Sequence, residues 1–146
     1  MNRATPETRK LAARLIALEK SVNKPADRKL VPTFDATDRL RPQLATLMGN
    51  GGFRSLMARS LALGGEEVPW LHAIHVKADG SLEGLADIHG RLKTGEFLEG
   101  RVVLLAQLFG LMVAFIGETL TLRLVREVWP KVPLDDLDFS RNGVTT

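Results

Sequence analysis

Three histidines and a scatter of carboxylates are what this chain offers for metal or acid–base chemistry. His72 and His75 are three apart, so on a helix they share a face, and Glu66 and Glu67 lie just before them. Two imidazoles and a carboxylate are enough donors for a small metal site. A site of that kind normally draws on a second cluster, and the remaining histidine, His89, has only Asp87 close by. Exposed or core-edge histidines are therefore the expected reading, with no metal and no other cofactor. The chain has no Cys, which removes thiolate ligands and disulfides and fits a reducing cytosol.

Glu118 follows a long apolar run. A carboxylate in such surroundings can have a raised pKa and act as an acid or base. The plainer reading is a buried ion pair with a cation from another helix, Arg54 being the first candidate and Arg59 the second. Helix 1 has a basic face of Arg9, Lys10, Arg14 and Lys20. Such a face suits phosphate, nucleic acid or an anionic membrane, although a solvated surface is the simpler account. The Gly49-Asn50-Gly51-Gly52 turn before an Arg-bearing helix resembles an anion cradle only loosely, since no Lys-Ser/Thr pair follows it.

Composition sets the frame. At 146 residues, with 45% hydrophobic and 25% charged side chains, the chain has the make-up of one folded domain. The net charge of +3 is unevenly spread. Residues 1–30 carry eight basic side chains against three acidic ones, and residues 61–100 carry three against seven. Such polarity can steer self-association or the docking of a partner. There is no Tyr, which weakens any case for base stacking. The first ten residues, MNRATPETRK, lack the apolar core of a secretory signal, so a cytoplasmic location is expected.

The elements that must position these residues are helices. Thr5-Pro6-Glu7 reads as an N-cap, an N1 proline and a first-turn acid, opening helix 1 to about Val22 with Leu11, Leu15, Leu18 and Val22 as its apolar stripe. After a polar connection, Asn23–Thr33, helix 2 begins between Thr33 and Asp38 and ends at Met48. It carries Pro42, which should kink it if the helix starts early. Helix 3 spans Phe53–Leu63, and Gly64-Gly65 is expected to stop it. A short helix follows from Pro69 to about His75. Residues 74–84 contain an Asp-Gly turn, and a loop followed by a helix Leu82–Leu92 is preferred there over a hairpin.

The centre of the chain is the segment Val102–Gly117, apolar nearly all round, continued by Glu118–Trp129 and stopped by Pro130. Thr94 is its expected N-cap. Unbroken from Glu96 to Trp129 it would be about 50 Å long, so a kink near Gly110 or Gly117 is expected. Ala106, Gly110, Ala114 and Gly117 form a narrow line of small residues that would let a second helix approach closely. Val102–Gly117 falls short of the ~20 residues of a membrane span, and a buried central helix has the same character.

The fold expected is all-α, five or six helices in a bundle around residues 96–129. Residues 1–130 form one helical domain, and residues 131–146 an acidic tail docked by Leu134, Leu137 and Phe139 or frayed at Arg141–Thr146. Across Gly52-Phe53-Arg54-Ser55-Leu56, Val68-Pro69-Trp70-Leu71, the Val76–Leu85 stretch VKADGSLEGL and the Ile116–Arg126 stretch IGETLTLRLVR, the chain resembles a family of small uncharacterised bacterial proteins. The resemblance spans roughly residues 8–130. It implies a cytosolic bacterial origin and carries no catalytic residue across. The functional expectation is a non-enzymatic protein-interaction module that associates with itself. Attachment to an anionic membrane or nucleic acid through helix 1 is the alternative.

Overall fold

The computed structural model describes residues 5–22 and 35–134. The Asn23–Thr33 connection, Leu137, Phe139 and the Arg141–Thr146 end lie outside the described residues. The architecture is all-α around the expected apolar helix. Helix α1 is Pro6–Val22, α2 is Asp35–Glu67, α3 is Leu85–His89, α4 is Thr94–Ile116 and α5 is Glu118–Val128. A 3₁₀ turn, Pro69–Ala73, and a two-stranded ribbon, β1 His75–Val76 with β2 Leu82–Glu83, link α2 to α3. Helix α4 packs against both α1 and α2, and α5 contacts α4 and α2.

Helix α1 starts as its sequence requires. The Thr5 hydroxyl accepts the Thr8 amide at 3.2 Å, and the Thr5 carbonyl accepts the Arg9 amide at 3.0 Å. Its stripe of Leu11, Ala12, Leu15 and Ile16 is buried.

Helix α2 is longer than expected. It runs through Pro42 and departs from helical geometry at Gly49 (φ 81°, ψ 161°), a conformation open essentially to glycine alone. The break takes one residue, and Asn50, Gly51 and Gly52 already belong to the next helical segment. Gly64-Gly65 does not end that segment, which continues to Glu67. The two glycines serve close approach instead. A Cβ at Gly64 would stand 3.0 Å from Leu71 and 3.5 Å from Val103, and one at Gly65 would run into the His72 ring.

The expected loop and long helix at 74–92 are a ribbon and a short helix. His75 pairs with Glu83 and Val76 with Leu82 in antiparallel register. The Asp79 carboxylate accepts both the amide and the hydroxyl of Ser81, at 2.9 and 2.6 Å. Gly80 (φ 90°) and Gly84 (φ 102°) supply the positive φ angles that reverse the chain and then close the ribbon before α3.

The central rod is two helices. Gly117 (φ 90°, ψ 159°) breaks it, and Gly110 stays helical. At its start Lys93, not Thr94, is the N-cap, and the Glu96 carboxylate accepts the Lys93 amide at 2.9 Å. The break has a cause in helical phase. The buried side of α4 includes Leu105, Leu108 and Met112, whereas α5 buries Thr121, Leu124 and Val125. At about 100° per residue, a straight continuation would place Thr119, Arg123 and Arg126 in line with Leu108 and Met112. The turn at Gly117 lets both apolar sides face the same core. Arg39 closes the far end, donating to the Val128 carbonyl at 3.2 Å with its guanidinium 5.9 Å from the Trp129 ring centroid. Beyond α5, Val132 and Leu134 are buried, so the start of the tail docks.

Candidate functional site

The feature least expected of a water-covered surface is the last part of α4. From Val103 to Phe109 every residue is buried. From Gly110 on, the helix emerges. Gly110, Ala114 and Phe115 are exposed and Leu111 is half-buried, with Phe115 at 65%. These four fall within an arc of about 140° on one side, opposite the buried Met112. No charged side chain interrupts the stretch from Val102 to Gly117. Added Cβ atoms at Gly110 and Gly117 would meet nothing within 4 Å. The line of small residues therefore begins inside the protein at Ala106 and leaves it unpartnered. Gly95–Ile116 is also long and apolar enough to cross a membrane by length and composition, with 50% of that window buried inside the protein.

A second cluster sits in the core. Glu67, its side chain only 6% exposed, uses both carboxylate oxygens. Oε1 receives the Arg9 guanidinium from α1, and Oε2 accepts Gln107 Nε2 from α4 at 3.0 Å. One carboxylate thus ties three helices together, each hydrogen bond compensating part of its burial. Sequence reading passed over this centre. Gln107 held the clue, because an amide inside an apolar helix has to find a polar partner.

The candidate metal residues do not gather. His72 and His75 are both exposed. They line a cleft of about 320 Å³ with Ala58, Leu61, Leu71 and Ile74, an apolar lining without a third donor. Glu67 is committed to Arg9 and Gln107, roughly half a turn around α2 from Gly65, against which His72 packs. Among the described residues no group of three or more His, Cys, Asp or Glu side chains is placed to hold a metal ion.

The Glu118–Arg54 ion pair does not form. Among the described residues Glu118, the first residue of α5, has no salt bridge, and Arg54 Nε is buried without a hydrogen-bond partner. The helix breaks at Gly117, one of the two expected kink positions, immediately before Glu118. The basic face of α1 is also partly spent within the protein. Arg9 is held by Glu67, and Arg14 donates to the Pro133 carbonyl at 2.6 Å, clasping the tail. Lys10 is exposed, and the Lys20 side chain lies outside the described residues.

Among the described residues Asp79 has a perturbed carboxyl. The Ser81 hydroxyl and amide hold its pKa below the usual 3.8, with Lys77 and Arg41 adding to the effect. It stabilises the ribbon turn and stands apart from the clusters above. Comparison of the chain with family models, with curated proteins and with solved structures finds no match.

Proposed function

We propose that this chain is a non-enzymatic helical interaction module that associates with a second copy of itself through the last turns of α4. The observation that carries the reading is Phe115, 65% exposed beside Gly110 and Ala114 on an uncharged helix face. Continuous apolar surface of this kind, with an aromatic at its centre, is characteristic of contact sites. A second copy is favoured because the face has both halves of a packing arrangement. Leu111 and Phe115 are knobs, and Gly110 and Ala114 are hollows. Under a two-fold axis each knob meets the other copy's hollow, which is what an isologous interface requires.

Size-exclusion chromatography with light scattering tests this, applied to the native chain and to Phe115→Glu. The expected result is a native dimer and a folded, monomeric variant. A native chain that stays monomeric at high concentration would remove the proposal. Co-sedimentation of that monomer with anionic vesicles would instead point to a lipid contact.

A further inference from the structure

We draw no further inference here: the strongest candidate, the cleft beside α2 that His72 and His75 line, sets two exposed imidazoles on an apolar lining, and nothing in the structure shows what it would hold.

Discussion

The two halves of α4 are composed alike and placed differently. Val103–Phe109 and Gly110–Ile116 are both runs of seven with no charge, apolar except for Gln107 in the first. The first is buried on every side by α1 and α2. In the second, Met112 is the one residue fully buried. The difference lies in what the rest of the chain supplies. The same core holds Leu11 and Leu15 of α1, Leu61 of α2 and Leu71 of the 3₁₀ turn, and the Glu67 carboxylate accommodates Gln107. Beyond Phe109 the chain turns at Gly117 and uses α5 to cover one side only. Apolar character alone therefore marks a helix that must be covered, and the supply of partners decides where coverage stops.

That contrast can be broken at several points. Leu108→Ala, in the covered half, should lower stability by about 2–5 kcal/mol in urea unfolding, because it opens a cavity in a core that cannot fully collapse. A loss under ~0.5 kcal/mol would mean that this half is not the core. Glu67→Ala should cost about 1–3 kcal/mol by the same measure, since Gln107 is left buried without its acceptor and α1 loses the Arg9 contact. The more exposed Arg9 contributes the smaller share. Phe115→Glu, in the uncovered half, should change stability by no more than ~0.5 kcal/mol while abolishing association. A large stability loss there would place Phe115 in a core and erase the distinction between the halves.

The smallest effect belongs to the ribbon, remote from both halves. The Asp79 carboxyl is held below its ordinary pKa of 3.8 in the folded chain. Its contribution is therefore fully present above that value and is lost as pH falls through the lower folded value. The Ser81 amide resonance should move only in that acid range, and Asp79→Asn should remove the movement. A midpoint above the ordinary value would contradict the hydrogen bonds from Ser81.

Much of the fold was legible because local rules and burial agreed. Thr5-Pro6 capped α1 as read, and the Val102–Gly117 run formed the central helix. What escaped depended on distant partners. Gly64-Gly65 has the look of a helix stop, but Leu71, Val103 and His72 press against those positions and the helix runs through. The hairpin was decided by Gly84, whose positive φ shows no signature in a short sequence window. Glu67 could not be matched to Arg9 and Gln107 before α1, α2 and α4 were placed together. Arg54 and Glu118 were matched because their helices were expected to pack together, and among the described residues no cation pairs with Glu118.

The most direct trial of a self-contact at the end of α4 is photo-crosslinking from position 115. A benzophenone amino acid replacing Phe115, mixed with isotope-labelled native chain, should give a covalent dimer whose crosslinks map to residues 110–117 of the other copy. Crosslinks confined to the same chain, at concentrations where the native protein is studied, would contradict the account.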